Sequence, residues 1–305
     1  MRPQGQALER LLAARRLRER AVEAVLWACA ASALAVTLGI VWVLVSNAWG
    51  FFGEVGVVEF LAGTRWAPFF MQPGYGVLPL LTATATVTVI ALCVAVPLGT
   101  ATAIYLAEFA PARVRDTAKP VLELLSGLPT VLFGYFALLV VTPALQAVWP
   151  GIATFNLLAP GLVIGVMVSP MIISLAEEAL SAVPDGLREA AMAMGASRRT
   201  TVLRVLLPAA LPGVSAAWVL AASRVAGETM VVAIAGGQTP RLGFDPTEAA
   251  ATITAYIARV ALGDLPPDST GYQGLFAAGL LLFVLTLGLN IAGLVFRRRL
   301  LRRWS

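Results

Sequence analysis

The sequence predicts an all-α integral membrane protein with six transmembrane helices and both termini cytoplasmic. Three observations carry this. Of 305 residues, 59% are AVILMFWYC and only 13% are charged; a soluble core of that composition would lack the polar surface to cover it, whereas lipid-facing helices need no such cover. Six apolar runs reach the roughly 18 residues needed to cross a bilayer. The basic residues fall almost entirely in alternate connections. A water-soluble enzyme is excluded. Histidine is absent, and Cys29 and Cys93 both lie inside apolar runs, so zinc, haem, iron–sulfur and histidine-based chemistry lack ligands and a disulfide has no support.

The spans are placed in order at 22–46, 78–106, 121–143, 154–176, 209–235 and 274–296. The first follows an arginine-rich arm, 1–21, but its apolar stretch of 25 residues exceeds the 7–15 or so of a signal-peptide core, so it reads as an uncleaved anchor. In the second, Thr82, Thr84, Thr86 and Thr88 either line a polar route or bond back to their own helix, and Pro97 with Gly99 predicts a kink. In the third, Gly127 and Pro129 interrupt the helix. This either opens a half-turn with free N–H groups near Thr130, or is a kink tolerated by packing. Glu123 lies close enough to the boundary to snorkel. Of 22 basic residues, 18 lie in the N-terminal arm, the second and fourth connections and the tail 297–305; the opposite loops hold Arg65, Arg241 and Arg259, and Arg224 lies inside the fifth span. That asymmetry sets both ends in the cytoplasm, explains a pI near 9.8 without nucleic acid, and suits anionic lipid head groups. The outward loops 47–77 and 236–273 either dock an external partner or cap the bundle. The second holds a helix-like stretch, 246–262, before a Gly263-to-Pro267 break.

Between the fourth and fifth spans, 183–208 reads as two short helices. Asp185 caps the first, Gly195 ends it in the left-handed conformation, and Ser197 caps a second that precedes Pro208. Ala190, Ala191, Ala193 and Gly195 give the first a small-sided face. Composition alone fits an amphipathic loop lying on head groups; the spacing argues otherwise. Glu189-Ala190-Ala191, three residues, Gly195, nine residues, Val205, one residue, Leu207-Pro208 resembles the EAA loop of ABC importer permeases, with Val for the usual Ile. The resemblance implies the type I importer architecture, with coupling helices seated on a separate ATPase dimer; Asp185, Glu189, Ala190, Ala191, Gly195, Leu207 and Pro208 are then the coupling residues. The chain has no phosphate-loop motif, and its only lysine, Lys119, precedes a proline. No cofactor or metal is expected here, ATP being bound by the partner.

The fifth span carries Arg224 near its middle, a placement costing about 2.5–3.5 kcal/mol unless the residue faces the bundle interior with a partner. Glu228 is one helical turn on. Gly213, Ala217, Ala221, Arg224 and Glu228 step along one face that should meet other subunits or the pathway. A structural ion pair and an anion station, where arginine's forked donors match a tetrahedral oxyanion, both fit these residues. Arg224 to Met230 resembles the R-A-x-G-E-T-M segment of phosphate importer permeases of the PstC type, with Val225 for Ala, and Glu123 to Gly134 is similar to their E-L-L-x-G-x-P-[ST]-x-x-x-G. The resemblance covers about 76–300. It implies an inorganic phosphate permease in a bacterial inner membrane. Its partners would be a second permease of the PstA type, an ATPase dimer and an extracytoplasmic phosphate-binding protein, with Arg224, Glu228, Thr229, Gly127, Pro129, Thr130 and Glu123 along the path. Glu228 would hold Arg224, loosen its grip, or accept a proton from phosphate. A permease for sulfate, molybdate or phosphonate is the alternative, and a secondary carrier a more distant one.

Overall fold

The computed structural model describes residues 3–68, 70, 72–266 and 269–301; Arg2, Pro267, Arg302 and Arg303 lie outside them. It is helical throughout, with one isolated backbone bridge, Trp66 to Tyr75, among the described residues. In chain order the helices are α1 (Pro3–Glu54) and α2 (Val57–Ala62), α3 (Leu78–Phe109), α4 (Ala112–Ser126), and α5 (Thr130–Val148) and α6 (Leu158–Ser181). After them come α7 (Asp185–Ala193), α8 (Arg198–Ala226), α9 (Met230–Ala235), α10 (Ile253–Arg259) and α11 (Thr270–Leu301). Six are long and apolar enough to cross a membrane, and the chain is a multi-pass membrane protein.

Several boundaries differ from the sequence expectation, each for a local reason. From Pro3 on, the basic arm is part of α1, because nothing between it and the apolar run breaks a helix. The third span begins at Thr130, not 121; the preceding residues form α4, an amphipathic helix with no buried residue, since Gly127 and Pro129 stop propagation. The fifth span ends at Ala226 rather than 235. The first half of the expected loop 47–77 is helical, α1 extending to Glu54 and α2 following.

Small residues set the spacing of the central pair. A Cβ on Gly161 would fall 2.9 Å from that of Ile90, one on Gly165 2.8 Å from the Ala91 carbonyl, and one on Gly99 2.8 Å from Ile172. Glycine there lets α3 and α6 touch backbone to side chain. Pro97 sits inside α3 without ending it. Around this pair, α5, α8 and α9 close a core containing Val87, Ala91, Ile164, Ile172, Ala221 and Val231. Helix α1 packs along α11, and α11 along α8. At one end of the bundle the two outward segments share an aromatic cluster: Phe51, Phe60, Trp66 and Tyr256 are all buried, and Trp66 meets Tyr256 edge-on at 4.9 Å. Segments 47–77 and 236–273 therefore pack on each other at that end of the bundle. At the other end α7 stands out with none of its residues buried.

Candidate translocation site and coupling surface

The interruption of the third span is built as its residues dictate. Gly127 caps α4, its N–H donating to the carbonyls of Glu123 and Leu124. Pro129, extended at φ −58° and ψ 130°, precedes Thr130, the first residue of α5. The first N–H groups of any helix lack intrahelical acceptors, so α5 begins as a donor-rich end. A cavity of about 280 Å³ opens beside it. Glu123, Ser126 and Thr130 line it from this junction, Ser174 from α6 and Arg224 from α8. Three predicted residues thus meet around one space, and Ser126 and Ser174 join them unforeseen. Arg224 is exposed in the isolated chain, and the adjacent Ser223 hydroxyl is buried without a partner.

Glu228 is placed elsewhere. Helix α8 ends at Ala226, with Gly227 as its cap, so the predicted single face from Gly213 to Glu228 does not form. Among the described residues no ion pair joins Arg224 to Glu228. The Glu228 carboxylate is 7% exposed and accepts from the Met230 N–H at 3.2 Å, where a negative charge suits the start of α9. Its backbone carbonyl accepts from the Thr254 hydroxyl at 2.7 Å. Thr229 donates its hydroxyl to the Gly227 carbonyl. The small residues of the expected face serve this chain rather than another: a Cβ on Gly213 would lie 2.5 Å from the Ala179 Cβ, and Ala217 and Ala221 are buried. All four span-two threonines bond back to their own helix. Thr84 additionally accepts the Ile253 N–H at 3.1 Å.

In the hairpin 183–208, Gly195 is left-handed at φ +82° and Ser197 caps α8 by accepting the Thr200 N–H, as the spacing predicts. Two expectations fail. Asp185 is the first residue of α7 and makes no cap; Pro184 holds the cap position, and the Asp185 carboxylate pairs with Arg188 instead. The expected second short helix is the start of α8, which runs on through Leu207 and Pro208. A π-turn at 202–206 makes this possible, because the wider turn relieves the clash between a proline ring and the carbonyl four residues back. Glu189, Ala190 and Gly195 are exposed and Ala191 is half-buried. Met192 and Met194 are exposed beside them, giving α7 an adaptable apolar surface.

A cluster at the foot of the second span went unread in the sequence. Residues 105–109 of α3 form a π-turn. Arg115 of α4 donates to the carbonyls of Leu106 and Ala107 at 2.7 and 2.8 Å. Arg198 donates to the Glu108 carbonyl and lies over the Phe109 ring. Arg188 of α7 donates to the Glu108 carboxylate at 2.6 Å, a bond that pushes its pKa above the ordinary arginine value and keeps it charged. Nearby, Lys119 pairs with buried Glu177 at 3.0 Å. The available signal was a carboxylate closing an apolar run, followed within seven residues by Arg113 and Arg115.

Residues 95–304 match the family described as binding-protein-dependent transport system inner membrane component. The chain is 35% identical over 232 residues to a probable ABC transporter permease protein, YqgH, of Bacillus subtilis, covering 76% of this chain and 75% of that one. It is 34% identical over 251 residues to the phosphate transport system permease protein PstC 1 of Mycobacterium tuberculosis, covering 75% and 74%. Among solved structures, a bacterial ABC transporter involved in the import of the acidic polysaccharide alginate superimposes with a TM-score of 0.61 at 17% identity, over 90% of this chain and 96% of that one. The MetNI methionine ABC transporter gives 0.56 at 21%, over 74% and 94%. With an EAA hairpin, six spans and this match over most of its length, the chain belongs to the binding-protein-dependent inner membrane components, the permease subunits of ABC importers.

Proposed function

We propose that this chain is the PstC-type permease of an ATP-driven inorganic phosphate importer. It would lie in a bacterial inner membrane with both termini cytoplasmic. A PstA-type permease would complete the path, an ATPase dimer would seat α7, and an extracytoplasmic binding protein would deliver phosphate. The observation that carries this reading is the cavity in which Arg224 meets the donor-rich start of α5. A guanidinium fork, the Thr130 hydroxyl and free N–H groups match a tetrahedral oxyanion. Glu123 shares that cavity, so it is the carboxylate placed to loosen the grip of Arg224 and to accept a hydrogen bond from the protonated oxygen of HPO4(2−), which sulfate lacks. Glu228 acts one step back, holding the break between α8 and α9. The similarity to PstC proteins favours phosphate over other oxyanions.

Uptake of labelled phosphate by cells carrying assembled Arg224→Gln, Glu123→Gln or Glu228→Gln variants tests this. Loss of one charge-assisted contact predicts a fall of about tenfold or more for Arg224→Gln. Undiminished uptake in all three removes these residues from the path. Competition by excess sulfate or molybdate as effective as unlabelled phosphate would favour the alternative oxyanion reading.

A further inference from the structure

The coupling helix α7 is joined covalently to α6 and α8, yet its polar link beyond the hairpin runs to neither. Arg188 reaches Glu108, 80 residues earlier, at the foot of α3. No residue of α7 is buried, so no apolar core fixes its position. Glu108 is 6% exposed and stands at the C-terminal end of a helix, where backbone carbonyls already concentrate negative charge. A carboxylate is stable there only against a cation, and Arg188 supplies it. Arg115 and Arg198 hold the neighbouring carbonyls. The foot of α3 is therefore gripped from α4, α7 and the start of α8 together.

Helix α3 also has a far attachment. Thr84 accepts the Ile253 N–H, and the next residue, Thr254, donates to the Glu228 carbonyl inside the break that follows Arg224. Between these ends α3 lies against α6 at glycine contacts too close to repack, so it moves as a body.

Resting on the importer reading above, we propose that α3 is the connecting rod of the permease: Arg188–Glu108 fastens it to the coupling helix, and Thr84–Ile253 fastens it to the segment that holds the break beside Arg224. Displacement of α7 by ATPase closure then reaches the translocation cavity through the second span as well as through α6 and α8. Glu108, Arg188 and Thr84 are positioning residues; none touches the ion.

The test is the number of phosphate ions accumulated per ATP hydrolysed by the complete complex in proteoliposomes. Glu108→Gln should leave ATP hydrolysis within about twofold while lowering that ratio about fivefold or more, the scale of a typical inter-site coupling. Arg188→Lys, which keeps a cation, should keep at least about half of the wild-type ratio. Thr84→Val, which removes the acceptor at the far end without touching α7, should lower the ratio as Glu108→Gln does, and it decides the matter if Glu108→Gln fails to assemble. A wild-type ratio in Thr84→Val, or transport and hydrolysis falling together in Glu108→Gln, overturns the rod. Wild-type vesicles that take up another oxyanion but no phosphate overturn the substrate assignment alone, and the ratio for that ion then tests the rod.

Discussion

Lys119, the only lysine of the chain, lies against Glu177, whose side chain is 7% exposed. Glu177 is buried within the protein, so removing the cation leaves its charge poorly compensated. With Lys119 half exposed, Lys119→Met should lower stability by about 1 kcal/mol, read as a fall in the unfolding midpoint of the detergent-purified protein, and the double variant with Glu177→Leu should recover most of the loss. Single residues were legible wherever a polar side chain interrupted an apolar run: Arg224, Glu123 and Thr130 stand out in the sequence and meet in space. Glu228 was legible as a charge closing the fifth span but not as separate from Arg224. Glycine inside a helical pattern either continues the helix or caps it, and the cap at Gly227 is accompanied by a bond from the Thr254 hydroxyl to the carbonyl of the next residue, Glu228, 26 residues before it. Glu108 was missed because its partner Arg188 lies 80 residues away, a pairing that no local pattern encodes.

At the scale of elements, the six apolar runs gave the spans because hydrocarbon thickness sets a minimum length that composition reveals directly. Their ends were harder to read, since each is decided by a cap or a wide turn: the π-turn before Pro208 fuses hairpin and span, and Pro129 divides α4 from α5. The close pairing of α3 and α6 is the element-level feature most open to challenge. A methyl group on Gly165 must displace the Ala91 carbonyl or Val94, and forced overpacking of this kind costs about 1–3 kcal/mol. Gly165→Ala should therefore lower the unfolding midpoint by several degrees. Gly288→Ala, with nothing within 4 Å of its Cβ position, should leave it unchanged or slightly raised.

For the whole molecule, the basic residues fix the expected orientation, and two exposed positions at opposite ends of the bundle report it. With Cys29 and Cys93 replaced by alanine, Phe244→Cys in the second outward segment should react with a membrane-impermeant thiol reagent in intact cells. Met194→Cys in the coupling hairpin, 88% exposed, should react only after permeabilisation; the reverse pattern would invert the topology. The overall architecture was legible because a bilayer leaves a chain few choices. What the sequence concealed is who touches whom. Helix α1 packs along α11, so this pairing joins residues more than 200 positions apart and forms only after the helices between them exist. Until then the apolar length of α1 faces hydrocarbon without that partner. Its central apolar stretch, with no residue buried even in the finished fold, carries no charge that would make that exposure costly.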